Sequence, residues 1–467
     1  MRKSLLKRFF PSPFGPLYDE ARLLPEIRNS LRFVILGNLC GNIFGTITTG
    51  STLTGYAGML GANDFIFGVL TSIPFLGTIM QIPAAYIVSK TLRRKELMLL
   101  YGTISRILWI LIGLVPLFMP VHPAWLRIWS VIFLVGISSV SSSFINVSFN
   151  SWLADLIPIR IRGRWLSGRD RIISVVGIST GLLIAHLLDT SEGFTGYTIV
   201  LVMGGIIGAL DMLCFSRVPD VPMKKGKDVK YSSVIKDLFA DKPFTSFMVF
   251  WTLWCLTSNF AGPFFVRYAL GPIGLNFLQV TLCGQVAVAV VTVLLISKWG
   301  KVIDRYGSKP TLWVSCIATS FVPGIMAFSQ PGSFWTFLLF NTLGSAVWIA
   351  ANLAAQNMLL SLSPAGQRPS YIAIFSCFTS IAGSFLGVLM GGAFLQWMPE
   401  IINISPAFDQ YKIVFVIGLF SRLFVVLALV PGLTNDSDAT ITDMKNDFLG
   451  AMKRIRYSLT QKGRRIR

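Results

Sequence analysis

The chain is short of charge. Of its 467 residues only 13% are Asp, Glu, Lys or Arg, about half the ~25% usual in soluble domains, and just 21 are acidic. The only histidines are His122 and His186, and six cysteines lie singly in apolar stretches with no Cys-x-x-Cys pair. Neither a metal cluster nor a disulfide framework is expected. No G-x-x-x-x-G-K-[ST] phosphate loop is present, which argues against an ATP-driven pump. The basic segment Met1 to Phe10 lacks the apolar core of a signal peptide, so it is expected to stay on the mature chain.

What is abundant is hydrophobic sequence: 53% of residues are apolar and the mean hydropathy is +0.65. Runs of about twenty apolar residues are long enough to cross a bilayer as helices. They predict twelve spans, 33–53, 64–88, 97–119, 126–150, 171–189, 195–215, 246–268, 276–297, 310–329, 333–360, 370–397 and 411–432. The expected class is therefore an all-α integral membrane protein. All but five of the 41 Lys and Arg fall on one side of this array. The exceptions are Arg127, Arg267 and Lys412 on the other side and Arg106 and Arg422 within spans. The positive-inside rule then puts both termini in the cytoplasm, with the inner or plasma membrane of the cell as the expected site. Basic residues set between apolar segments do not make a nucleic-acid surface, and none is expected as a partner.

The polar stretch 216–245 divides the spans into an N-terminal set, 33–215, and a C-terminal set, 246–432. Residues 1–32 form a cytoplasmic leader segment to the first set. Within the central stretch, Val234, Leu238 and Phe239 recur at helical spacing and predict a surface helix. The tail 433–467 holds Lys453, Arg454, Arg456, Lys462, Arg464, Arg465 and Arg467 and is expected to contact anionic lipid headgroups. The two sets are repeats. Without a gap, Asn146, Pro158, Arg162, Gly177 and Gly181 fall on Asn352, Pro364, Arg368, Gly383 and Gly387. Two pseudo-symmetric six-helix bundles around a central site follow a known transporter plan.

Between the eighth and ninth spans the chain reads Gly300-Lys-Val-Ile-Asp304-Arg305-Tyr-Gly307-Ser-Lys309. This resembles the G-x-x-x-D-R-x-G-x-K signature of the major facilitator superfamily, and span count, central loop and duplicated halves extend the resemblance over roughly 30–435. The resemblance implies that Asp304 braces the inner gate, with Arg305 and Lys309 completing its charges. The first-half counterpart, Ser89-Lys90-Thr91-Leu92-Arg93-Arg94-Lys95, lacks both the glycine and the aspartate. Asp155, with Arg164 or Arg169, is the substitute clamp expected there.

The resemblance also implies that the first, fourth, seventh and tenth helices line the cavity. Their polar residues are candidate substrate contacts: Asn38, Asn42, Asn146, Asn150, Trp254, Asn259, Trp348, Asn352 and Gln356, with Asn341 also on the tenth. A buried carboxamide has four hydrogen-bonding positions that its own helix cannot fill. Away from the span ends only one acid lies within a span, Asp211, and it is expected to neutralise Arg106; Arg422 has no evident acidic partner. An intramembrane enzyme would need paired acids or a Ser/His arrangement at depth, so neither catalysis nor a cofactor is expected. The expected function is secondary or facilitative transport of a small neutral or weakly charged solute by a monomer. An amphiphile or drug exporter is favoured over a sugar or nutrient importer, and a non-transporting receptor or scaffold is the reading of another class.

Overall fold

Among the described residues, twelve helices are long and apolar enough to cross a membrane. The computed structural model describes residues 25–120, 123–157, 159–220, 231–364, 367–402 and 407–434. The basic tail beyond 434, the leader before 25, Pro158 and the side chain of Arg162 lie outside the described residues. The spans are α1 (Asn29–Met59), α2 (Asp64–Thr91), α3 (Arg94–Phe118), α4 (Trp125–Leu153), α5 (Gly163–Thr190), α6 (Thr195–Ser216), α7 (Lys242–Leu270), α8 (Phe277–Tyr306), α9 (Ser308–Ala327), α10 (Phe334–Leu362), α11 (Ser370–Met398) and α12 (Gln410–Gly432). No strand occurs among the described residues. Backbone groups facing lipid must be paired within their own segment, which is why long apolar runs become helices here.

The two halves repeat each other's packing. α6 lies against α1 and α3, and α12 lies against α7 and α9; α5 packs on α1 as α11 packs on α7. The same symmetry reaches single side chains. Lys95 at the start of α3 donates to the carbonyls of Ser216 (3.0 Å) and Val218 (2.6 Å), past α6. Lys309 at the start of α9 donates to the carbonyls of Pro431 and Leu433, at the end of α12. Each lysine thereby caps carbonyls that a helix leaves free at its C-terminus. The turn before each lysine also needs unusual backbone: Gly307 takes φ 84°, while in the glycine-less first half Leu92 takes φ 57°. A left-handed leucine costs about 1–2 kcal/mol.

The linker helix Tyr231–Ala240 docks on the second half: Leu238 is fully buried and Phe239 packs edge-on against Phe378 of α11.

The loops α1–α2, α5–α6, α7–α8 and α11–α12 share one end, here the far end; the linker helix lies at the other, the linker end. One apolar cluster at the far end mixes both halves, joining Tyr56, Phe67 and Tyr197 to Phe264, Tyr268 and Phe415. Toward the linker end each half has its own cluster, one around Trp152 and Phe215 and another around Phe247 and Trp254. The halves are thus fused at the far end and parted at the linker end.

Candidate functional site

Closure at the far end rests on a small set of polar bridges. Asp64, in the first turn of α2, accepts from Arg267 Nε of α7 at 2.6 Å and from the Tyr411 hydroxyl of α12 at 2.6 Å. The same guanidinium donates to the Ala62 carbonyl at 2.6 Å and sits 4.9 Å over the Phe67 ring. Among the described residues this is the one salt bridge between the halves. A second bridge comes from Asp189 at the end of α5, which accepts from the backbone N–H of Phe277 (2.7 Å) and Leu278 (2.8 Å). A carboxylate is favoured there because the free N–H groups and positive dipole end of α8 face it. Behind these bridges α2 and α11 touch backbone to backbone: a Cβ on Gly68 would lie 3.3 Å from Gly392 Cα.

Beneath this closure, carboxamides from different helices converge on α5. The side-chain oxygen of Asn42 on α1 faces Gly177, and that of Gln285 on α8 faces Gly181, one helical turn away. Asn42 Oδ1 is buried without a hydrogen-bond partner among the described residues. Asn341 on α10 lies beside Gly284 and is half-buried, as Gln285 is. Gln285 sits in a π-helical turn, Leu282–Ala287, and a second such turn, Thr379–Phe385, interrupts α11. Turns of this kind recur at functional sites. In the second one, Ser384 Oγ accepts from Asn259 Nδ2 at 3.2 Å. Trp348, half-buried, stacks on the fully buried Trp254 with ring centroids 6.0 Å apart.

The residues singled out in the sequence divide between those that point into this region and those that do not. Asn38 spends its amide on the Val34 carbonyl of its own helix at 2.7 Å. Asn259 also bonds its own helix, at the Cys255 carbonyl. Asn352 is half-buried, whereas Asn146, Asn150 and Gln356 are exposed. Gln285 was missed because α8 was not counted as a cavity helix; its signal is a lone carboxamide in an otherwise apolar run, next to a glycine. The Asp64 bridge was missed too. Its signal is Arg267, one of few cations on the cation-poor side. Arg127, another of them, instead donates to the Pro116 (3.0 Å) and Met119 (2.6 Å) carbonyls at the end of α3.

At the linker end the first-half clamp differs from expectation. Asp155 pairs with Arg94 Nη1 at 2.6 Å, not with Arg164 or Arg169. The reason is packing: α3 lies along α4, so the start of one meets the end of the other. Arg169 is held by its neighbour Asp170 at 2.8 Å and Arg164 is exposed. Both partners of the Arg94 pair belong to the first half, so it joins no two bundles in this conformation. Asp304 and Arg305 are exposed, with Arg305 5.1 Å over Tyr306. At depth, Arg106 Nη2 and Asp211 meet at 3.0 Å, and the guanidinium lies 4.0 Å over Phe44.

The description Major Facilitator Superfamily belongs to the family model that matches residues 35–388. The chain is a member of that superfamily. Solved structures agree in fold. A nucleoside transporter, NupG, in mutant form superposes with a TM-score of 0.68 at 15% identity, over 87% of this chain and 100% of that one. A bacterial homolog of the human lysosomal transporter Spinster, inward-facing and occupied, gives 0.67 at 15% identity over 89% and 100%. The xylose transporter XylE from E. coli, inward open, gives 0.63 at 16% identity over 90% and 99%. No curated protein matches the chain. The protein is thus a multi-pass membrane transporter of this superfamily.

Proposed function

We propose that the protein moves a small, neutral or weakly charged organic solute bearing hydroxyl or amide groups and an apolar portion, by alternating access of its two halves. The observation that carries this reading is the make-up of the region under the far-end closure. Asn42 and Gln285 supply neutral donors and acceptors, Asn341 a side-chain oxygen beside them, and the half-buried Trp348 an apolar face. Charges at depth are kept off this face: Asp211 is 1% exposed and held by Arg106, and Arg422 is 5% exposed. A desolvated ionic solute would need a counter-charge, and a neutral one needs none. Cation placement makes the linker end cytoplasmic and the far end external. Xylose and nucleoside transporters share the fold, and sugars also carry hydroxyl groups; the Trp348 face, and the pairing of Asp211 with Arg106 as the one acid at depth among the described residues, favour an amphiphile exported from the cell.

The test is flux in proteoliposomes with one ligand series in neutral, quaternary-cation and dianion forms. The neutral members are expected to be carried best, and Gln285→Ala or Asn42→Ala to raise the half-saturating concentration about tenfold, the value of roughly one hydrogen bond. Preference for the dianion or the quaternary cation would overturn the reading, and flux of none of a broad neutral panel would favour a receptor.

A further inference from the structure

The α1/α6 seam and the α7/α12 seam occupy equivalent places in the two halves. The first holds an acid, Asp211, which lies against Gly41 and is neutralised by Arg106. The second holds a cation, Arg422, and no salt bridge among the described residues neutralises it. Arg422 is 5% exposed and sits near the middle of α12, roughly 15 Å from either end at 1.5 Å per residue. Between residues 246 and 432 the only acids are Asp304, Glu400 and Asp409, all at helix ends. One guanidinium nitrogen, Nη2, donates to the Ser258 carbonyl of α7 at 3.0 Å. Its Nε is buried with no partner, and so is the hydroxyl of that same Ser258.

Two residues already joined by one hydrogen bond thus each keep a buried polar group without a partner. Guanidinium does not shed its proton in proteins, so burial alone cannot relieve the charge. A neutral carbonyl satisfies one N–H and leaves the charge uncompensated. We infer that Arg422 Nε and Ser258 Oγ hold a small monovalent inorganic anion of the halide class between α7 and α12. A halide accepts from both donors, balances the charge, and is compact enough for a seam between packed helices. The site lies within one half, and it is independent of which solute the protein carries.

The experiment follows thermal unfolding of the purified full-length protein in detergent while sodium chloride is replaced by sodium gluconate at constant ionic strength. A ligand bound only to the folded state raises the unfolding midpoint saturably. Chloride and bromide are expected to do so, and gluconate is too large to substitute. Arg422→Met should abolish the chloride dependence. Ser258→Ala, which keeps the charge, should raise the half-saturating chloride about tenfold, and it keeps the test decisive if the arginine variant does not fold. An equal midpoint in chloride and gluconate for the unaltered protein would mean that water fills the seam and would overturn the proposal. So would a saturable chloride response that survives in Arg422→Met, or a half-saturation unchanged by Ser258→Ala.

Discussion

Arg106 and Asp211 pair at a depth where either charge alone would have no solvent to fall back on. The geometry gives Arg106 Nη2 and Asp211 a 3.0 Å contact with the aspartate 1% exposed. Removing one member of a buried pair leaves the other uncompensated and costs about 3–5 kcal/mol. Arg106→Gln and Asp211→Asn are each expected to lower the unfolding midpoint and folded yield. The double variant should recover most of both; additive losses in a double-mutant cycle on thermal stability would refute the coupling. This pair was legible in the sequence because a span with a single acid and a single nearby cation leaves few choices. Asp155 was not, since Arg164 and Arg169 are its near neighbours in sequence whereas Arg94 is brought to it only by the packing of α3 on α4. Asn38 shows a further point that spacing does not reveal: a carboxamide on a polar helical face can spend one donor at the carbonyl one turn back.

At the scale of helices, the paired glycines repeated between the halves do two different jobs. On α11, Gly383 and Gly387 let the backbone of α7 approach, with Thr252 and Leu256 carbonyls against them; on α5, Gly177 and Gly181 receive the Asn42 and Gln285 side chains. Sequence identity marked all four positions, and the partners decide what they are for. The crossing of α2 and α11 depends on a different pair. A Cβ on Gly392 would lie 2.9 Å from the Asp64 carbonyl and 3.3 Å from Gly68 Cα, where backbone cannot yield as a side chain would. Gly392→Val is therefore expected to oppose far-end closure by about 1–3 kcal/mol, the usual cost of overpacking. Transport should slow, and impermeant thiol labelling of a cysteine placed at Gln285 should become faster from the far side. Unchanged labelling would show that this crossing does not limit closure.

Across the whole molecule, two six-helix halves meet at one end through Asp64, Arg267, Tyr411 and Asp189 and separate at the other. Arg267→Gln removes the single salt bridge among the described residues that spans the halves and should shift the balance toward far-end opening by roughly tenfold, about 1.4 kcal/mol. Spin labels at Glu192 and Gln330, both on exposed far-end loops, should report a larger long-distance population in the variant by double electron–electron resonance. An unaltered distance distribution would mean that apolar packing alone holds the end shut. The number of spans, the repeat and the superfamily signature followed from the sequence, because run length, charge placement and motif spacing are properties of neighbouring residues. Which end is closed, which arginine Asp155 takes, and that Gln285 faces α5 were decided only by tertiary structure. Each depends on how helices far apart in the chain are set against one another, and a hydrophobic helix packs in many registers that its own sequence does not distinguish.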